Sequence, residues 1–320
     1  MSIGQASHPQ DAARAAISHP SRREALAALG LVLPALPGLS ASRAFAQAAT
    51  DRIVVAGGVI TEVIYALGRQ DRIVGVDSTS LFPAEALRQK ANIGYVRALS
   101  AEGVLSLKPT LVLLIDGAGP PDAMALLAES GVRIARIADG QTPEGVAEKI
   151  AAIGAAIGAA EPAARLAART AESFRELDGL RGRLKAKRRV LFVLSLQNGR
   201  ALVGGRNSSA DAIIALAGAE NAAAAVEGYK PMTDEAVIAA APDMILMMSN
   251  GGSNHRTTAE ELFALPAFSQ TPAAATGRLV HMDGLYLLGF GPRTPLAARD
   301  LMAAIYSETT IPPLTTGAAP

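Results

Sequence analysis

Cysteine is absent from all 320 residues of the chain. Disulfides, thiolate metal sites and a lipid-modified N-terminal cysteine are thereby excluded. Histidine is scarce, and of the four present His8 and His19 fall in the first 46 residues, leaving His255 and His281 beyond them. Two scattered histidines do not make a zinc-type cluster. His255 lies in a Gly/Ser/Asn loop and reads as solvent-exposed, His281 in a strand pattern and reads as packing. No Gly-x-Ser-x-Gly elbow and no phosphate-cradling glycine-rich loop occurs, so the usual parts of a hydrolytic site are missing. The formal net charge is +1, and the only dense run of like charge is Lys185-Ala-Lys187-Arg188-Arg189. Nothing there calls for nucleic acid as a partner; the run reads as helix-end charge set against the macrodipole. No apolar stretch reaches the ~20 residues that span a bilayer.

What is present begins with an export signal. Ser21-Arg22-Arg23-Glu24-Ala25-Leu26 precedes an apolar run over residues 27–39, broken by Pro34 and Pro37, and Ala44-Phe45-Ala46 places small residues where a signal peptidase reads. Residues 1–46 are therefore expected to be removed. The paired arginines resemble a twin-arginine signal, and a Sec signal with an arginine-rich start fits as well. Cleavage takes away Arg14, Arg22, Arg23 and Arg43 with Asp11 and Glu24, so a charge of +1 becomes −1. A freely diffusing, monomeric periplasmic protein is the expectation.

With 50% hydrophobic and 18% charged residues, the remainder is apolar enough for two medium cores. Short β-type runs alternate with helical patterns: strands over 52–56, 73–76, 111–115 and 132–137, and helices over 60–67, 100–107 and 121–130. That alternation implies a parallel sheet covered on both faces. Residues 143–157 and 162–187 are almost wholly helical, interrupted only by Gly179 and Gly182 in the second stretch. The second helix is long enough, at about 40 Å, to act as a strut. Alternation resumes with strands over 190–194, 244–248 and 279–282 and helices over 210–216, 233–240 and 259–265. The expected fold class is α/β, with an N-terminal lobe over 51–159, a linker helix over 160–187, a C-terminal lobe over 188–312 that repeats the first, and a tail over 313–320.

An internal repeat supports the two lobes. Gly94-Tyr95 leads to Leu99-Ser100-Ala101-Glu102, Pro109 and an apolar strand; Gly228-Tyr229 leads to Met232-Thr233-Asp234-Glu235, Pro242 and another. Each copy is a loop, an N-cap hydroxyl, a helix with Glu in its first turn, then Pro and a strand. Ligands of open α/β sheets bind beyond the carboxyl ends of the strands, so the loops bearing these tyrosines are the ones to read for chemistry.

Four segments carry a family resemblance: Arg52-Ile-Val-Val-Ala-Gly-Gly58 with Thr61-Glu62-Val-Ile-Tyr-Ala-Leu-Gly68; Ile93-Gly-Tyr-Val-Arg-Ala-Leu-Ser-Ala-Glu-Gly103; Glu227-Gly-Tyr-Lys-Pro231; and Leu-Gly-Phe-Gly-Pro-Arg-Thr-Pro295. From about residue 52 to 302 the chain resembles the periplasmic haem-binding proteins of bacterial haem-uptake ABC transporters. The resemblance implies two Rossmann-like lobes joined by a single long α-helix, the class III periplasmic binding protein type. It also implies that the chain is no enzyme, and that ferric haem is carried between the lobes to the permease dimer of an inner-membrane ABC importer.

The resemblance makes Tyr95, in Gly-Tyr-x-Arg, the axial ligand of the haem iron. A phenolate is a hard anionic donor suited to Fe(III), and Arg97 is placed to favour the ionised form. Tyr229, the repeat partner, is the second candidate ligand. Arg206, Lys230 and Arg293 are candidates for pairing with the propionates, and Tyr229, Leu285, Tyr286 and Phe290 for packing on the macrocycle. The loop Gln197-Asn198-Gly199-Arg200 has no histidine where some family members hold a second haem. Glu102 and Glu235 read either as ordinary first-turn helix residues or, by the resemblance, as acidic knobs that dock on a two-fold permease. A ferric-siderophore or cobalamin binder of the same fold remains the alternative; neither ligand needs a tyrosinate.

Overall fold

The computed structural model describes residues 51–197, 200–249 and 257–316. Residues 1–46, read above as an export signal, and Asn198, Gly199 and His255 lie outside the described residues. The chain enters the first lobe through β1 (Ile53–Ala56), α1 (Gly58–Ala66), β2 (Ile73–Val76), α2 (Glu85–Gln89), β3 (Ala91–Asn92), α3 (Ala101–Ser106), β4 (Leu111–Ile115), α4 (Pro121–Glu129) and β5 (Arg133–Ile137). The strands form a parallel sheet in the order β3-β2-β1-β4-β5. Every residue of β1 is buried, as the unbroken Ile-Val-Val-Ala run requires of a strand covered on both faces.

Two helices follow, α5 (Pro143–Ala156) and α6 (Ala160–Arg181). Thr142 caps the first by accepting from Gly145 N, with Pro143 at its first position. The connecting helix α6 has 22 residues, a length of about 33 Å. It ends six residues before the expected position. Gly179 costs the last turn about 1 kcal/mol relative to alanine, and the helix stops with Gly182 as its C-cap. Lys185, Lys187 and Arg188 therefore lie past the helix and Arg189 opens the next strand, which corrects the macrodipole reading of the basic run; Arg188 pairs instead with Glu308 at 3.1 Å.

The second lobe contains β6 (Arg189–Gln197), β7 (Arg200–Gly204), α7 (Ser209–Leu216), β8 (Glu220–Asn221), β9 (Tyr229–Met232), α8 (Asp234–Ala240) and β10 (Met244–Ser249). Then come α9 (Ala259–Phe263), α10 (Pro266–Ser269), α11 (Pro272–Thr276), β11 (Leu279–Asp283), α12 (Gly284–Leu288) and α13 (Thr294–Ile305). Its sheet runs β11-β10-β6-β7-β9, with β8 beside the start of β6. Place for place this matches the first sheet, with one reversal: β7 is antiparallel to both β6 and β9. The expectation that the second lobe repeats the first is corrected there. Asn-Gly between two β-type runs is the strongest short hairpin signal, and it separates β6 from β7.

Alternate residues of each central strand point to opposite faces. On the side of α5 and α6, both sheets share one continuous core. Ile53, Val55 and Ile60 belong to the same packed core as Leu166, Phe174 and Leu177 of α6, and that core continues through Phe192, Ile213, Leu301 and Ile305 of the second lobe. The opposite faces have separate cores, Val54, Val112 and Leu114 with Val104 in one lobe, Leu191, Val193 and Ile245 with Phe268 in the other. Beyond α13, Arg299 donates to the carbonyls of Ile311 and Pro312, and Thr315 donates to Glu176 of α6, so the tail lies strapped along the connecting helix. The result is two Rossmann-like lobes joined by a single long helix. No helix among the described residues is long and apolar enough to cross a membrane.

Candidate functional site

All five strands of the first sheet end at one edge, where the loops after β1, β2 and β3 gather. Tyr95 lies three residues beyond β3 on a loop held from several sides. Asn92 Oδ1 accepts from Gly94 N at 2.8 Å, and Gly94 carbonyl accepts from Ser78 N at 2.8 Å. Further on, Gly119 N donates to Val96 carbonyl at 3.0 Å, and Leu99 N to Gly119 carbonyl at 2.8 Å. Gly94 has φ +91°, which a side chain rarely tolerates, so the glycine before the tyrosine sets the turn. Ile93, Val96 and Leu99 are buried beneath, while Tyr95 stands 50% exposed. Its hydroxyl takes no hydrogen bond among the described residues. Arg97 is exposed and makes no ion pair among the described residues. A phenol and a guanidinium thus share one pre-organised loop, the condition for precise ligation.

The neighbouring 77–83 loop is equally fixed. Buried Asp77 accepts from Gly57 N at 2.8 Å and, through its other oxygen, from Thr79 N at 3.0 Å and Thr79 Oγ1 at 2.7 Å. A Cβ on Gly58 would lie 2.1 Å from Thr79 carbonyl and 3.1 Å from Leu285 Cδ1, so glycine there lets this loop and the second lobe close on the same point. Phe82 ends the loop 36% exposed, with the Arg293 guanidinium 3.5 Å from its ring centroid.

Arg293 is the centre of the contact between the lobes. Its Nη2 donates to Glu62 Oε2 of α1 at 2.8 Å, with side chains 17% and 5% exposed, and the Tyr286 ring centroid lies 5.1 Å from the guanidinium carbon. The expected propionate partner is thus already neutralised. Phe290 is corrected as a macrocycle contact: it is 1% exposed within the shared core, and its carbonyl accepts from buried Lys149 Nζ at 3.1 Å. Tyr286 donates to Asp300 Oδ2 at 2.8 Å; burial first, then Asp300, pushes its phenol well above the ordinary range, so it stays protonated. His281 lies on β11 with Nε2 3.0 Å from Thr257 carbonyl, a packing role as expected.

The second group of candidates gathers elsewhere. Tyr229 is the first residue of β9, level with Gly204, and its hydroxyl is 2.7 Å from Ser209 Oγ while its ring meets Phe192 edge-on at 6.3 Å. Through the sheet register it stands level with Phe192, roughly 17 Å below the carboxyl end of β6 at Gln197. Tyr95 lies past the carboxyl end of its strand and Tyr229 at the amino end of the matching one, so the two are not equivalent, against the repeat-based expectation. Arg206, bridged to Glu227, and Lys230, paired with Val203, share the level of Tyr229. Among the described residues, Arg200 at the start of β7, opposite Gln197, is an exposed cation on the carboxyl edge of the second lobe. Sequence reasoning passed over Arg200, Phe82 and Glu62. The hairpin signal marks the first and the rule of carboxyl-end loops marks the second; nothing local marks Glu62.

Ser100 and Thr233 cap α3 and α8 as expected, accepting from Gly103 N and Ala236 N. Glu102 and Glu235 are the second residues of these helices, both exposed and both starting from the carboxyl edge of their sheet. Glu235's own backbone N–H, then Thr233, hold its carboxyl below the usual range, which keeps it anionic at neutral pH.

Residues 53–285 match the model of the periplasmic binding protein family. Across 252 residues, 78% of either chain, the sequence is 26% identical to an uncharacterised ABC-transporter substrate-binding lipoprotein of Bacillus subtilis. Among solved structures, the periplasmic haem-binding protein RhuT of Roseiflexus sp. RS-1 in apo form is 40% identical with a TM-score of 0.75, covering 80% of this chain and 98% of its own. The periplasmic haem-binding protein BhuT in complex with two haems is 39% identical with a TM-score of 0.73, covering 79% and 97%. With the match over 53–285 and two lobes built on one connecting helix, the chain belongs to the periplasmic binding protein family.

Proposed function

We propose that the chain captures ferric haem at the carboxyl edge between its lobes, with Tyr95 as axial ligand, and delivers it to the permease dimer of an ABC importer. The observation that carries this reading is the exposed phenol of Tyr95 on a fixed loop, two residues from Arg97, which makes no ion pair among the described residues. Ionising a phenol of ordinary pKa near 10 takes a nearby cation and the ferric ion itself. Arg97 supplies the first, and the haem cargo the second. Arg200, on the facing sheet edge, replaces Arg206 and Lys230 as the second-lobe partner for a propionate. The likeness to RhuT and BhuT, both named for haem, supports the same cargo. The export signal read in residues 1–46 and the family match support a periplasmic step, carried out by a mature monomer from which that signal has been removed.

An absorption titration of the mature protein with ferric haem tests the reading. Saturation near one equivalent with a tyrosinate charge-transfer band is expected, since the loop 197–200 offers no histidine to a second haem. If haem fails to bind and a ferric siderophore or cobalamin does, the cargo is the other ligand and the two-lobed receptor stands. Docking is tested separately. Reversing both acidic knobs, Glu102→Lys with Glu235→Lys, is expected to abolish import into vesicles carrying the permease while the haem titration stays unchanged. Import at the wild-type rate would return both glutamates to the role of ordinary first-turn residues.

A further inference from the structure

We infer that Phe82 is a wall of the cargo site whose free face stacks on the bound macrocycle and whose covered face carries that contact to the second lobe; this rests on the haem reading above. Phe82 ends a polar turn, Asp77-Ser-Thr-Ser80, and is left 36% exposed although burying a phenylalanine is worth about 1.5–3 kcal/mol. Its position is not loose. The turn is fixed by Asp77 on Gly57 and Thr79, and one face of the ring is covered by the Arg293 guanidinium at 3.5 Å. That guanidinium is itself held by Glu62 at 2.8 Å and flanked by Tyr286 at 5.1 Å. A solvent-facing aromatic so firmly mounted from behind is a surface prepared for a flat apolar partner.

The occupant follows from the neighbouring loop. Ser78 N bonds to Gly94 carbonyl, one residue before Tyr95, and Phe82 lies four residues after Ser78, a reach of at most about 14 Å. A macrocycle whose iron sits on Tyr95 spreads sideways from that point, over the carboxyl edge on which the 77–83 loop also lies. Because Glu62 neutralises Arg293, the stack brings no net charge to the apolar face. The guanidinium still draws on the π cloud from one side, which makes the other face less negative and better suited to offset stacking on an electron-rich ring.

Release of haem from the loaded protein to excess apomyoglobin decides the matter, with wild type, Phe82→Leu and Phe82→Ala compared and folding checked by thermal melts. Phe82→Leu keeps apolar bulk and removes the ring face. Release between about twofold and tenfold faster in Phe82→Leu, with the tyrosinate band retained, is expected from loss of the stacking contact. The alanine variant, where folded, is expected to lose haem faster still. Release within twofold of wild type in Phe82→Leu overturns the inference and leaves the haem reading intact. A wild-type protein that takes up no haem removes both.

Discussion

Replacing Tyr95 by phenylalanine is expected to abolish the ferric-tyrosinate band and to weaken haem binding by more than about a hundredfold. Altering a group that merely supports a metal ligand costs 10–100-fold, and here the ligand atom itself is removed. The substitution isolates that atom. The ring is half exposed, its hydroxyl takes no hydrogen bond among the described residues, and the loop is held by backbone bonds on either side of it. Unfolding free energy should therefore stay within about 0.5 kcal/mol of wild type, as for surface changes that break no contact. An absorption titration and a denaturant melt on the same preparation separate the two effects. Unchanged binding would sink the assignment of Tyr95. A lower midpoint would mean that the phenol also has a structural partner. Arg97→Ala should give an intermediate loss, since the iron still favours the phenolate when the neighbouring cation is gone.

The largest expected effect on stability belongs to the contact between Glu62 and Arg293. Both side chains are nearly enclosed, so Arg293→Ala leaves a carboxylate buried without its partner, at a cost of about 3–5 kcal/mol. Much of that is the penalty of the stranded charge rather than the worth of the pair. The double variant Glu62→Gln, Arg293→Met removes both charges and should recover most of the loss. Urea unfolding of Glu62→Gln, Arg293→Met and the double variant gives the coupling directly, and strictly additive losses would show that the pair does not link the lobes.

The first lobe was readable from the chain because β1, β2 and β4 are short apolar runs, Ser100 caps α3, and Gly68 and Gly131 follow the ends of α1 and α4; β2 and β4 lie where expected. The second lobe was less so. Its short β7 and β9 contain Arg200, Gly204, Tyr229, Lys230 and Pro231, which look like loop residues until the hairpin pairs them. The same blind spot misplaced Tyr229: sequence spacing aligned it with Tyr95, while strand register put it at the other end of the sheet. In the Gly-Phe-Gly-Pro-Arg segment, the motif marked the right stretch of chain but not its facing. Phe290 turns into the core and Arg293 toward Glu62, 231 residues away, and a pairing over that separation leaves no local pattern.

The core that runs unbroken from one lobe through α6 into the other bears on how cargo leaves. Prying the lobes wide apart would tear close-packed apolar contacts on the hinge side, where Ile53, Phe174 and Phe192 belong to one packed body. Thermal agitation alone has little leverage against such a seam. The cleft behaves as a stiff spring, and a cargo seated in it is not shaken loose between collisions with the membrane. On the docking proposal, mechanical work from the importer applied at the first turns of α3 and α8, where Glu102 and Glu235 stand, would then be the event that unseats the cargo.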